Sequence, residues 1–309
     1  MIKNAAGNRR IRPTRKAAAP PRSRFLSEWK KAATTAGVLV GLSAGAFAQG
    51  VPPLPAVPPE LLQFYRSGGE VRFCINAASS LAEFDRALAQ TLADSLLIPA
   101  EFDEIVDVEP PFPFDYRFTV DEADLFVKVN NDCDAVMGYR LPRSGLIPDW
   151  LIVSRPYLES DMVLGVVDPN VERFADLPEG ARIGSRIGTA GDTQFRSYLQ
   201  ALPREPVDRV PYVANDILLE DLASGALDGV LIWEPALYLA GGGDPATLGI
   251  HTATLPFDIE AITFSVALKS DGQFLRSLID EAIALVLESG VLAELLAEFG
   301  LPEDAAATP

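Results

Sequence analysis

The chain has 309 residues, 48% of them hydrophobic, enough to bury one large core or two modest ones. The first 48 residues hold ten Lys and Arg against one acid, so the formal charge of −17 becomes −26 once their +9 is set aside. No Lys/Arg cluster remains in that acidic body to neutralise phosphates, which excludes nucleic acid as a partner; the acidity suits solubility, a saline habitat or attraction of a basic partner or cationic ligand.

Residues 1–48 read as a cleaved signal peptide and imply export. They combine a basic stretch that includes Arg9, Arg10, Lys30 and Lys31, an apolar run from Ala32 to Phe47, and the small-x-small pattern Ala46-Phe47-Ala48 before Gln49. The run is shorter than the ~20 residues a spanning helix needs. Residues 49–69 include VPPLPAVPPE, where proline density favours an extended, polyproline-like linker.

The folded body is expected from Glu70. A strand from Val71 to Ile75 leads into Asn76-Ala77-Ala78-Ser79-Ser80; Leu81, Phe84, Leu88, Leu92 and Leu96 then fall at helical spacing and predict a helix from Leu81 to Leu97. The Pro- and Phe-rich interval Phe102 to Phe118 reads as strand plus loop. Two stretches then share one pattern: Asp121 to Gly138 (DEADLFVKVNNDCDAVMG) and Asn215 to Pro235 (NDILLEDLASGALDGVLIWEP). Each joins an acidic amphipathic helix, through a short polar turn and an Asp, to an apolar strand. Helices that enter buried strands this abruptly belong to parallel α/β sheets, so two copies predict two α/β lobes with a ligand between them.

Between the two stretches, Met162 to Val167 reads as a strand ending at Asp168-Pro169-Asn170, Arg182 to Ser185 as another, Thr193 to Leu202 as a helix, and Val207 to Val213 as a third strand. After the break at Gly241-Gly242-Gly243 come a strand from Ile262 to Leu268, a long helix from Gln273 to Glu288 and a short helix ending at Phe299-Gly300. The expected division is 70–162 plus 265–302 for lobe 1, 163–264 for lobe 2 and 303–309 for a tail. The chain would cross between lobes near Met162–Val167 and again near Glu260–Val266.

Cys74 and Cys133 are the two cysteines, and both follow the leader. In an exported protein an even pair suggests a disulfide, two buried thiols being the alternative. Catalytic groups are not evident: His251, the one histidine, falls in an expected loop, and zinc, Walker and dinucleotide motifs are missing. No cofactor and no metal are expected. Binding chemistry is what remains. Gly188-Thr189 before a helix offers backbone N–H groups and a hydroxyl at a positive helix end, suited to an anion, although Thr is also an ordinary N-cap. Asn76 and Ser79, with Ser80, stand at the carboxyl end of the first strand, where open α/β sheets bind ligands, although turn chemistry explains them equally. Trp233 and Glu234 end the matching strand of lobe 2, with Trp233 either a cleft floor or a packing residue. Arg140 and Arg143, beside Tyr139, are either an anion clamp or part of a surface loop.

In order and spacing, these segments resemble the family-3 periplasmic solute-binding proteins: the opening strand and helix, Cys133 to Gly138, Ser154-Arg155-Pro156-Tyr157, Phe174 to Thr189, Leu227 to Pro235 and the two closing helices. The resemblance implies a type II periplasmic-binding fold, two α/β lobes joined by two crossing strands. It also implies a periplasmic, non-enzymatic monomer that closes on a small organic solute and passes it to an ABC permease. Cys74, Cys133 in Cys-Asp-Ala-Val-Met-Gly, and Ile232-Trp233-Glu234-Pro235 look most like the methanol-oxidation J-type subgroup. That likeness implies an alternative: a periplasmic accessory of a quinoprotein (PQQ) alcohol or methanol dehydrogenase or its cytochrome. Amino-acid binders of the family usually place an Asp where Trp233 stands, so α-amino acids are expected to bind weakly or not at all.

Overall fold

The computed structural model describes residues 69–77, 79–105, 122–142, 145–204 and 206–308. The expected signal peptide, nearly all of the linker, Arg143 and most of the interval 102–118 lie outside them.

Two sheets organise the chain. In the first, β1 (Val71–Asn76) pairs in parallel with β2 (Ala100–Ile105) on one side and β3 (Ala135–Arg140) on the other. The long strand β11 (Ile262–Lys269) joins β3 antiparallel and carries the short strands β4 (Leu151–Val153) and β5 (Leu158–Ser160) on its far edge. The second sheet runs β10-β6-β9-β7-β8. Its parallel centre is β7 (Ala181–Arg186) between β8 (Val207–Tyr212) and β9 (Gly229–Trp233), with β6 (Met162–Val166) antiparallel to β9 and β10 (His251–Ala253) antiparallel to β6. Both sheets are therefore mixed, where the pattern of apolar runs suggests parallel pairing alone.

Helices cover the sheets because their apolar stripes match. In α1 (Ala82–Ser95), Phe84, Leu88 and Leu92 are buried at intervals of a helical turn. The two helix-to-strand units form as their sequences suggest: α2 (Glu122–Asn131) enters β3, and α4 (Asn215–Ala223) enters β9. In lobe 2, α3 (Ala190–Ala201) begins earlier than the expected Thr193, since the Thr189 hydroxyl caps it by accepting from the Asp192 amide at 3.1 Å. A short helix, α5 (Glu234–Ala240), follows β9 directly, with Pro235 in its first turn, where the missing N–H is harmless. The closing helices are α6 (Gln273–Glu288) and α7 (Val291–Glu298).

The chain leaves the first sheet after Ser160 and enters the second at Met162, and it returns between Ala253 and Ile262. Ile262 to Phe264 thus belong to the first sheet rather than the second. The expected tail is also corrected. Ala305 and Ala307 are buried, Ala306 bridges to Leu158, and the Ala307 amide donates to the Tyr157 carbonyl at 3.1 Å, because small apolar side chains fit against α7 and the β5 edge. His251 lies not in a loop but at the start of β10, opposite Val166.

Cys74 and Cys133 form a disulfide with Cα atoms 5.8 Å apart. Cys133 sits in the turn before β3 rather than on the strand, held by its amide on the Lys128 carbonyl at 2.9 Å. The bond therefore ties β1 to the end of α2 beneath a small apolar cluster that includes Leu125, Val129 and Val136.

Candidate functional site

A cavity of about 100 Å³ lies where the two sheets face each other. Lobe 1 contributes Arg140 from the end of β3 and Ile262 and Phe264 from β11. Lobe 2 contributes Met162 from β6, Leu231 to Trp233 from β9, and the turn from Arg186 to Ala190. Asn215, at the start of α4, completes the wall.

The turn is placed by a buried polar network. Asp192 is 2% exposed and accepts from Ser185 Oγ on β7 and Arg209 Nε on β8, each at 2.6 Å. That carboxylate pins the first turn of α3 to both strands and also suits the positive end of the helix. Gly191 packs closely against the crossing strand: a Cβ there would lie 2.7 Å from Met162 Cε, so a larger residue at the helix start would have to displace the Met162 side chain. The single proton of the Thr189 hydroxyl is already used, donated to the Arg186 carbonyl at 2.9 Å while the oxygen accepts from the Asp192 amide. The anion-binding capacity expected of Gly188-Thr189 therefore rests on first-turn backbone N–H groups such as that of Ala190, which have no acceptor within the helix.

Trp233 lies at the end of β9, on the cavity wall. It is 6% exposed and packs its ring 5.7 Å from that of Phe264, so one aromatic contact links the two lobes at the cavity wall. Arg140 also lines the cavity, as do Gly188 and Thr189. Asn76, Ser79, Tyr139 and Glu234 are not among its lining residues. Asn76 is buried at the end of β1, and Ser79 makes a local turn, its Oγ accepting from the Leu81 amide at 3.1 Å. Tyr139 packs against the cluster around the disulfide. Glu234 starts α5 on the crossing side, its amide donating to the Asp161 carbonyl at 3.0 Å. Burial raises its carboxyl pKa, and the nearby Asp304 and Asp161 charges add to that. Sequence reasoning missed Arg186, Asn215, Met162, Ile262 and Phe264. Arg186 had a signal, since it ends a strand just before Gly188-Thr189, and open α/β sheets bind ligands at the carboxyl ends of their strands.

A second buried network supports the lobe 1 side. Asp85 on α1 is 1% exposed and accepts from Tyr157 Oη at 2.7 Å, and that same phenol oxygen accepts from the Gly138 amide at 2.9 Å. Burial pushes Asp85 up to about 7 and holds Tyr157 well above its ordinary pKa. Gly138 precedes Tyr139 and Arg140, so the network sets the end of β3. Among the described residues no group of three or more His, Cys, Asp or Glu could hold a metal ion, and no helix is long and apolar enough to cross a membrane.

No protein-family model matches the chain, and no curated protein matches it. Solved structures do. A substrate-binding protein of a polar amino acid ABC uptake transporter from Streptococcus thermophilus aligns with TM-score 0.61 at 17% identity, covering 79% of this chain and 90% of that one. The second substrate-binding domain of GlnP from Lactococcus lactis, in an open conformation, aligns with TM-score 0.59 at 13% identity over 75% of this chain and 95% of its own. A reconstructed ancestral cationic amino acid solute-binding protein gives TM-score 0.57 at 16% identity, covering 77% and 99%. Nothing in these neighbours supports the narrower methanol-oxidation likeness. With two mixed sheets, helices on each and a cleft between them, the chain has the two-lobe type II α/β fold of the solute-binding proteins.

Proposed function

We propose that the protein is exported to the periplasm, its signal peptide removed after Ala48, and that it works there as a non-catalytic solute-binding protein. Its lobes close on a small organic ligand, which an ABC permease then receives. The observation that carries this reading is the cavity itself, whose walls come from both sheets, so that a bound solute touches both lobes and favours their approach. The leader-like start of the chain and the ABC-transporter roles named for the structural neighbours are consistent with this reading.

A thermal-shift screen of residues 49–309 against a library of small solutes tests the reading. Ligand at 100 times its Kd adds about 2.7 kcal/mol to the stability of the folded state, and small-angle scattering of the same complex reports compaction. A library that neither raises the melting temperature nor compacts the protein rejects solute binding. Mass spectrometry of the exported protein should find Gln49 as the first residue.

A further inference from the structure

Lobe 2 carries an apolar rim beside the solute cavity. Ile187 follows β7, Val213 follows β8 and Ile217 lies in the first turn of α4, and they are 43%, 42% and 47% exposed. The backbone makes them neighbours: the Ile187 amide donates to the Tyr212 carbonyl at 2.8 Å, and Val213 stands two residues before Asn215, where α4 begins. α4 buries Leu218 and Leu222 within its own lobe, which leaves Ile217 facing outward. Ile187 and Asn215 line the solute cavity, so the rim stands at the cleft. Lobe 1 offers a groove of about 290 Å³ that shares Arg140 and Ile262 with that cavity. Its apolar walls are Leu141 and Pro142 after β3, Ile147, and Val153 on β4, all half-buried. Exposed aliphatic side chains on one lobe thus border the same cleft as an apolar groove on the other.

Resting on the solute-binding reading above, we propose that the rim is a closing latch: as the lobes approach, Val213 and Ile217 of lobe 2 seat in the lobe 1 groove around Ile147 and Val153. Side chains that are now in water become buried against one another, so apolar burial favours closure before any solute arrives. A solute then meets a binding-competent form that is already populated in part. Its apparent affinity therefore depends on Val213, Ile217, Ile147 and Val153, although none of the four lines its cavity.

Cysteine trapping in residues 49–309 tests the contact. Val213→Cys and Ile217→Cys are each combined with Ile147→Cys and with Val153→Cys. Oxidation without solute should link at least one of these pairs across the lobes, mapped by mass spectrometry with the Cys74–Cys133 bond intact. Small-angle scattering should show the unliganded Val213→Ser, Ile217→Ser double variant expanded relative to the unaltered chain. A solute found in the library screen should bind that double variant at least about tenfold more weakly, because two half-exposed aliphatic side chains no longer gain burial on closing. Adding Ile147→Ser should then weaken binding less than Ile147→Ser does alone, as a shared contact requires. Melting curves show whether the variants fold, and the cross-links stand without the serine variants. With a solute that binds, the latch requires both the cross-link and the loss of affinity; if either is missing, the latch is overturned and solute binding is intact. With no solute binding, the solute-binding reading falls, and cross-linking and scattering of the unliganded protein decide the latch alone.

Discussion

Replacing Asp85 with Asn should flatten part of the pH dependence of stability. Asp85 is buried on α1 beside Tyr157, and its carboxyl titrates near pH 7 in the folded protein, against about 3.9 when unfolded. A folded pKa above the unfolded one means that the stability it contributes is fully present below about pH 4 and is lost as the pH rises toward 7. Over those roughly three units, at about 1.4 kcal/mol per unit, the loss comes to about 4 kcal/mol. Asp85→Asn does not titrate, so the variant should gain about 4 kcal/mol relative to the wild type between about pH 4 and pH 8. Urea unfolding of both proteins at several pH values measures this, and taking the difference cancels the many other acids. Parallel pH profiles, with a constant gap between the two proteins, would refute the idea that Asp85 is driven neutral by burial.

Removing the disulfide with Cys74→Ala and Cys133→Ala should cost about 4 kcal/mol in urea unfolding, from the 59-residue separation and the chain-entropy relation; an unchanged midpoint would rule out that contribution. Arg209→Gln leaves the Asp192 carboxylate buried without its ion partner and should cost about 3 kcal/mol, with much of that recovered in the Arg209→Gln, Asp192→Asn double variant; additive losses would show that the pair does not act as a unit. Gly138→Ala should lose at least about 1 kcal/mol, measurable as a lower melting temperature, since φ is +75° and the new Cβ would lie 2.8 Å from Asp85 Oδ2.

Local pattern made much of the fold legible. The helical spacing of Leu81, Phe84, Leu88 and Leu92, the apolar runs at Val71, Met162 and Ile262, and the paired helix-to-strand units all depend on neighbours within one element, so the sequence alone specifies them. The cysteine pair was legible too, because two cysteines after an export-like leader leave a single pairing. Gly188-Thr189 was legible as the start of a helix, and the Thr189 cap is a contact across three residues.

Whatever depends on distant segments meeting was decided by tertiary structure. Tyr157 finds Asp85 across 72 residues, and nothing local to either marks the pair. The antiparallel entry of β11 beside β3 is set by the return crossing, while its apolar run is equally compatible with a parallel strand. Glu234 leaves the cleft because Pro235 turns β9 at once into a helix, a boundary that a strand-period reading passes over. Arg140 and Arg186 share one cavity for the same kind of reason. Each stands at the carboxyl end of a strand in its own sheet, and only the meeting of the two sheets puts both side chains on the wall of one mostly apolar cavity.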